Sequence, residues 1–262
     1  MGLDVFVLEA LKLSLPIPDS RTTYAVRVAD VRNAKKLYPD YFHPERISAI
    51  RTVEAGYAGD GATTLIGVAD FVRDQYSVRQ GDDYLGLANI QPNTGERVES
   101  TEEDGVGSCF HYREGDVLFA RLRPYLNKVY RAETDGVCST EFHVIRIRLG
   151  DDGQPLLQPD YLAAVLRSSI VLSQTRHMMT GNTHPRLANE DVGNLVVPVP
   201  GRTVQEAIAA EVALLRTKAR SLRDDARSFW DDAKRRFEDE LLGQETDSTE
   251  LGIAELVRRI KQ

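Results

Sequence analysis

Nowhere in the 262 residues does an apolar run reach the roughly 18 positions that a membrane-spanning helix requires, so no bilayer crossing is expected. Only two cysteines are present, Cys109 and Cys138, too few for a disulfide framework or a thiolate zinc centre. The opening stretch MGLDVFVLEALKLSLPIPDS carries acids and lacks a basic leader before a long apolar core, so a secretory signal is not expected. A reducing, cytoplasmic setting fits these absences. A basic excess is missing too: 33 Lys and Arg stand against 40 Asp and Glu, a net charge of -7, which excludes an indiscriminate polyanion binder. The five histidines, at 43, 111, 143, 177 and 184, show no paired helical spacing, and no metal centre is expected from them. No internal repeat and no low-complexity tract occurs.

Signals for catalysis are equally scarce. A nucleotide-phosphate loop needs glycines just before a helix, so that backbone N–H groups can approach the phosphates. The glycine-rich stretch AGDGATT at residues 58–64 lacks both the lysine and the spacing and reads as a surface turn. Cys109 and His111 share a strand face and could approach as nucleophile and base, but nothing nearby supplies an orienting acid or an oxyanion hole. Buried structural cysteine is the better reading. A glycine-rich methyl-donor loop and the Asn/Asp-Pro-Pro-aromatic tetrapeptide that grips a flipped base are both missing. Nuclease clusters of carboxylate and lysine are not evident. The chain reads as a non-enzyme without a cofactor.

What is present is an ordinary globular composition, 42% hydrophobic and 28% charged, with an uneven spread of charge. Residues 1–107 hold 17 acids and 11 bases, a balance of -6. Residues 108–148 hold 7 bases and 5 acids, a balance of +2, and residues 162–189 hold three arginines and no acid. Alternation and turn signals predict strands at TTYAVRVAD, around Tyr84 to Leu87, at residues 116–120, at 127–132 and, with one face buried, at 141–148. Helices are predicted over residues 44–55 and from Pro159 to about Ser173. Residues 180–185 read as a loop, Asn189 as the cap of a short turn, and LVVPVP at 195–200 as extended because its prolines forbid helix. Met178 and Met179 read as core.

From Thr203 the pattern changes. Residues 203–242 contain neither glycine nor proline, and apolar positions from Ile208 to Phe237 recur in steps of four and three, a heptad seam. A helix of about 40 residues is about 60 Å long at 1.5 Å per residue, more than a domain of this size can cover, so half of it is expected to stand clear. A polar break at residues 243–248 precedes a short amphipathic helix through Leu251, Ile253, Leu256, Val257 and Ile260.

Five segments, in order, resemble one family. GDVLFARLRPYLNKV at residues 115–129 resembles the signature GD-[IV]-L-[FV]-x-R-[LI]-x-P-x-x-x-K of type I restriction-modification specificity subunits. GVCSTEF at 136–142 is similar to that family's G-x-x-S-[ST]-E-[FY] strand, and Tyr161, Leu162, Leu166, Arg167 and Ser168 to its YL…L.S helix. GNTHPRL at 181–187 resembles its loop ending in Arg-Leu or Arg-Ile. LVVPVP with Gln205 and Ile208 is similar to the segment that leads into its long helix. Family members usually carry two recognition domains and two long helices in one chain, so this sequence looks like a half-subunit, and residues 1–107 match only loosely.

The resemblance implies an α+β fold: one globular target-recognition domain with mixed and antiparallel strands over residues 1–202, a long coiled-coil helix over 203–243, and a short linker with a C-terminal helix over 244–262. It implies a chain that reads double-stranded DNA and targets an adenine-N6 methyltransferase, with or without a restriction nuclease, in phage defence. Arg121, Arg123, Tyr125, Asn127 and Lys128 form one candidate DNA-binding loop, and Asn182, Thr183, His184 and Arg186 a second, since arginine reads guanine, asparagine reads adenine and cations hold phosphate. Glu141 is expected to pair with Arg121 or Arg123. Ile208, Val212, Leu215, Leu222, Phe229, Trp230 and Phe237 form the candidate seam for a homodimer or a methyltransferase helix. Two-fold pairing would call for an inverted repeat in the DNA. A scaffold that no longer reads bases is the alternative, favoured by the net charge, and hidden nuclease carboxylates are a third.

Overall fold

A computed structural model describes residues 2–15, 23–79, 81–100, 108–178 and 185–241 of the chain. In chain order, helices α1 (Leu3–Ala10), α2 (Val28–Ala34) and α3 (Pro44–Gly56) lead to strand β1 (Ala62–Thr64), the single turn α4 (Leu65–Val68), and strands β2 (Ala69–Val72), β3 (Gln75–Ser77) and β4 (Tyr84–Leu85). Strands β5 (Ser108–Tyr112), β6 (Val117–Ala120), β7 (Val129–Arg131), β8 (Gly136–Ser139) and β9 (Phe142–Ile147) follow. Helices α5 (Pro159–Arg167), α6 (Ser169–Thr175) and α7 (Asn189–Gly193), strand β10 (Val196–Pro198) and the 40-residue helix α8 (Arg202–Leu241) complete the order. The class is α+β. Packing divides the chain into Met1–Val212 and Ala213–Gln262.

A central antiparallel sheet of order β2-β9-β6-β7 is buried on both faces. Alternation along β6 sends Val117 and Phe119 into one core, with Leu162, Leu166 and Val165 of α5, and Leu118 and Ala120 into another. Along β9, Ile145 and Ile147 join the first core, and Phe142 and Val144 the second. The second core is closed by Phe110, Tyr112, Leu85 and Cys138 from a mixed sheet of order β3-β5-β8-β4, in which β4 runs parallel to β8. The half-buried strand expected at 141–148 is thus covered on both sides. Its polar positions are absorbed: Arg146 Nη2 lies 2.6 Å from Asp116, whose carboxylate is buried and also accepts the N–H of Arg113. Asp116 stands just before β6 and directly after Gly115, whose φ of +85° lets the chain turn back, with the Gly115 N–H on the Ala132 carbonyl at 2.9 Å.

Other expectations change for local reasons. TTYAVRVAD is not a strand: its residues from Thr23 to Arg27 pair with no strand among the described residues, and Val28 begins α2. Asp30 lies in that helix's first turn, where a carboxylate suits the helix dipole, and an ion pair with Arg27 at 3.4 Å adds to it. The helix expected from Pro159 is broken at Ser168, whose backbone is extended (ψ 156°). Asp4 of α1 caps the restart: its carboxylate accepts the Ser169 N–H at 2.8 Å and the Ser169 hydroxyl at 2.6 Å. Asn189 is the first residue of α7, with Ala188 at the cap position. The short exit strand β10 pairs antiparallel with β1. Met178 is buried in the core; Met179 and the C-terminal amphipathic segment lie outside the described residues.

The start of α8 is fastened by Gln205 and by Arg202, whose Nη1 donates to the Pro155 carbonyl at 3.0 Å. Gln205 is buried, its Oε1 accepts the Gln158 N–H at 2.8 Å, and its Nε2 donates to the Pro200 carbonyl at 2.9 Å. Gln158 in turn caps α5 by accepting the Tyr161 N–H. A buried amide with both ends satisfied is favoured, whereas an orphaned one costs about 1–3 kcal/mol. Both cysteines are free and buried, on the paired strands β5 and β8, and burial pushes both thiols above their ordinary pKa. That leaves neither as a nucleophile. No described helix is long and apolar enough to cross a membrane.

Candidate nucleic-acid interface

The connection from β6 to β7 is a tight, locally strained turn. Arg123 (φ +49°) and Asn127 (φ +51°) both adopt the left-handed region, on either side of a single helical turn at Pro124–Leu126. Non-glycine residues there cost free energy and persist only when the surroundings hold them. The surroundings are explicit. Pro124 is buried, and the Asn127 side chain is buried and donates to the Arg167 carbonyl at 2.9 Å. The Lys128 ammonium donates to the Leu87 carbonyl at 2.7 Å. Two side chains are left facing outward, Arg123 and the half-exposed Tyr125.

The second candidate loop returns beside the first. Leu122 bridges Arg186, the Arg123 N–H donates to the Pro185 carbonyl at 2.8 Å, and the Leu187 N–H donates to the Arg121 carbonyl at 3.0 Å. Residues 185–187 therefore form an extra edge on the turn. Arg186 is exposed and grips Glu141, with Nη2 2.8 Å from Oε1 and Nε 3.1 Å from Oε2. That hydrogen bond and charge raise the Arg186 pKa above its ordinary value. Glu141 thus orders the loops as expected, but through Arg186 and not through Arg121 or Arg123, because the Leu122–Arg186 bridge sets Arg186 alongside it. Arg121 reaches Glu141 only through its backbone N–H, 2.9 Å from the carbonyl oxygen.

Arg123, Tyr125 and Arg186 are accordingly exposed on adjoining segments, whereas the Arg121 side chain is half-buried, with its Nε buried. Asn127 is not on this surface: its amide is consumed inside the fold, which corrects its place among the DNA-binding candidates. Lys128 is half-buried and anchored. Asn182, Thr183 and His184 lie outside the described residues, in the stretch that leads directly to Pro185.

No protein-family profile matches the chain. The type I restriction enzyme EcoDI specificity subunit of Escherichia coli is 25% identical over 141 residues, 51% of this chain. The chain resembles a type I specificity subunit. It spans only 30% of that relative's length. Among solved structures, an HsdS subunit from Thermoanaerobacter tengcongensis is 22% identical, with a TM-score of 0.48 over 74% of this chain and 52% of its own. A type I S subunit from M. genitalium is 15% identical, with a TM-score of 0.46 over 94% of this chain and 59% of its own.

The specificity-subunit motifs have local physical explanations. The Gly-Asp pair is the turn and buried carboxylate described above, the turn at Arg121-Leu122-Arg123-Pro124 holds the left-handed step at Arg123, and the Gln of the exit segment is the double anchor Gln205. The helix seam divides in two. Ile208 and Val212 are buried in the domain core and so are unavailable to a partner, which corrects their place in the seam. Further along α8, Leu222 (59%), Phe229 (43%), Trp230 (72%) and Phe237 (62%) are exposed, and Leu215 is intermediate.

One cluster is not visible in the sequence because His177 lies 132 positions from Glu45. The rings of His43 and His177 stack with centroids 3.5 Å apart, and His177 Nε2 lies 2.8 Å from Glu45 Oε2. Burial works to raise the Glu45 pKa, but the His177 hydrogen bond and the charges of Arg176 and His177 outweigh it and hold the carboxyl below its ordinary value. His43, Glu45 and His177 bring potential metal-ligand atoms within 4.8 Å of one another. Both Glu45 oxygens are already engaged, Oε1 by Arg176 at 2.8 Å and Oε2 by His177. Nδ1 of His43 accepts the Glu45 N–H as the α3 cap. The arrangement as it stands is a hydrogen-bonded tie between α3 and the end of α6.

Proposed function

We propose that the chain is the DNA-reading subunit of a type I-like modification assembly and takes an adenine-N6 methyltransferase, with or without a restriction nuclease, to its site. In this reading residues 1–202 form the target-recognition domain, 203–243 the coupling helix, and 244–262 a linker and short helix. Arg121, Arg123, Tyr125, Lys128 and Arg186 touch DNA, together with Asn182, Thr183 and His184. The observation that carries the reading is the backbone union of the Arg123 turn with Pro185–Leu187. It brings two loops, both similar to the specificity-subunit pattern, to one acid-poor edge held by the Glu141–Arg186 pair. A rigid, pre-ordered arginine loop loses little entropy on binding and suits bidentate base recognition.

Leu222, Phe229, Trp230 and Phe237 support a partner along α8, since such residues anchor interfaces. A second copy would make the reader two-fold, each chain reading one half of an inverted repeat. The test is methylation mapping of DNA from cells that express the chain together with a type I adenine methyltransferase subunit from the same genome. An adenine motif that changes or disappears with Arg123→Ala supports the reading. An unchanged motif, or one that forms without the chain, contradicts it. The net charge of -7 favours a second reading, a scaffold without base contacts. Footprints confined to the region under the methyltransferase would select it.

A further inference from the structure

Two residues that line one cavity, Arg121 and His143, each carry a buried polar atom, Nε and Nε2, without a hydrogen-bond partner among the described residues. Buried polar atoms are paired in nine cases of ten or more, so two in one place call for an explanation. The cavity measures about 240 Å³ and lies between β2, β5 and β9 and the start of α7. Its polar lining is Arg73, Gln75, Arg121, His143 and Asn189, and no Asp or Glu is among the lining residues. His143 is 4% exposed, and Phe71 meets its ring edge-on at 5.8 Å. Arg73 and Gln75 are exposed at the rim. Neither Arg73 nor Arg121 is in an ion pair among the described residues, and Glu141, whose carbonyl accepts the Arg121 N–H, has its carboxylate held by Arg186.

We propose that this cavity is an oxyanion site for a phosphate group, held by Arg73 and Arg121 with His143 at its floor. Guanidinium N–H groups match phosphate oxygens in geometry and charge, and two unneutralised arginines over an acid-free pocket favour a tetrahedral anion. The histidine supports the assignment. Burial first, then the charges of Arg121 and Arg73, push its pKa down to about 4 against the opposing hydrogen bonds to the Leu187 backbone and the Asn189 side chain, and the two arginine charges are what an anion would offset. Two sources can supply the group: the DNA backbone, which rests on the function proposed above because Arg121 belongs to the same turn as Arg123, or a free phosphate, which does not.

The test is titration of the full chain with inorganic phosphate at constant ionic strength, read from the His143 ring resonances by NMR. Saturable shifts are expected, with the His143 pKa climbing as the anion stabilises the imidazolium. Arg73→Gln, at an exposed position that the fold does not need, is expected to weaken phosphate binding about tenfold or more, as loss of one charge-assisted bond implies, and Arg121→Gln likewise. Shifts that grow linearly without saturating, or Arg73→Gln binding as tightly as wild type, overturn the site. Acetate binding as tightly as phosphate overturns the phosphate assignment. The salt dependence of duplex binding then separates the sources. A slope reduced by about one in Arg73→Gln assigns the site to a backbone phosphate. An unchanged slope with phosphate binding intact assigns it to a free phosphate, a result that stands whether or not the chain reads DNA.

Discussion

The backbone N–H of Arg123 donates to the carbonyl of Pro185 at 2.8 Å, and this bond ties a strained left-handed arginine to the segment that follows the second candidate loop. Two stretches about 60 positions apart become one edge. Local rigidity and outward exposure coincide at Arg123, which makes it the position where recognition and stability are most separable.

Arg123→Ala is expected to reduce the preference for cognate over scrambled duplex by about 1–3 kcal/mol, the worth of one good bidentate base contact, with little change in melting temperature. Fluorescence anisotropy with both duplexes at one salt concentration, beside a thermal melt, checks this. Equal loss on both duplexes would make Arg123 a phosphate contact.

Asn127→Ala is expected to behave in the opposite way. It leaves the Arg167 carbonyl without its partner and puts alanine in the left-handed region, costing about 1–3 kcal/mol of stability. Asn127→Gly keeps the backbone freedom and loses only the amide, so it is expected to fall between wild type and Asn127→Ala in urea denaturation. DNA affinity per folded molecule stays unchanged in both.

Acid sensitivity has two windows with the same sign. His143 is neutral in the folded chain with a pKa near 4, below its ordinary value, so the unfolded chain takes up a proton first as pH falls. Its contribution is complete above about pH 6.5 and is lost as pH falls toward 4, amounting to a few kcal/mol at most. Glu45 is held below its ordinary value, so its contribution is present above about pH 4.5 and is lost as pH falls through the folded pKa. Stability measured from pH 7.5 to 3.5 is expected to decline in both windows, with Glu45→Gln flattening the lower and His143→Gln the upper. A profile flat between pH 6.5 and 4.5 would contradict the His143 account.

Along α8, position decides the effect. Ile208→Ala removes a fully buried side chain and is expected to cost about 2–5 kcal/mol. Trp230→Ser is expected to leave the melting temperature of the isolated chain within about one degree and to abolish the proposed partner association. Sedimentation of the chain alone and with the methyltransferase checks both.

The long helix was the most legible element, because 40 residues without glycine or proline and with a sustained seam admit few other readings, and it begins within one residue of the expected position. The strands at residues 116–120 and 127–132 and the helix at 44–55 were legible from alternation and turns. What escaped depended on partners distant in sequence. Burial of the second face of β9 requires the β5–β8 sheet, the Ser168 break requires Asp4, and the stacking of His43 on His177 requires two helices to meet. The candidate loops were found by motif, but which of their residues face outward was not. Asn127 looks like a base reader in sequence and is a buried brace, because its left-handed backbone turns the amide toward Arg167. Likewise the regular seam gave no sign that Ile208 and Val212 belong to the core while Leu222 onward does not.

Selection of bound sequences from a random duplex library, with the full chain and its methyltransferase at one fixed salt concentration, tests the central claim most directly. Enrichment of a short two-part motif, weakened by Arg123→Ala and retained in Trp230→Ser only as a single half-site, is the predicted result. A bound pool with the same composition as the input library would contradict it.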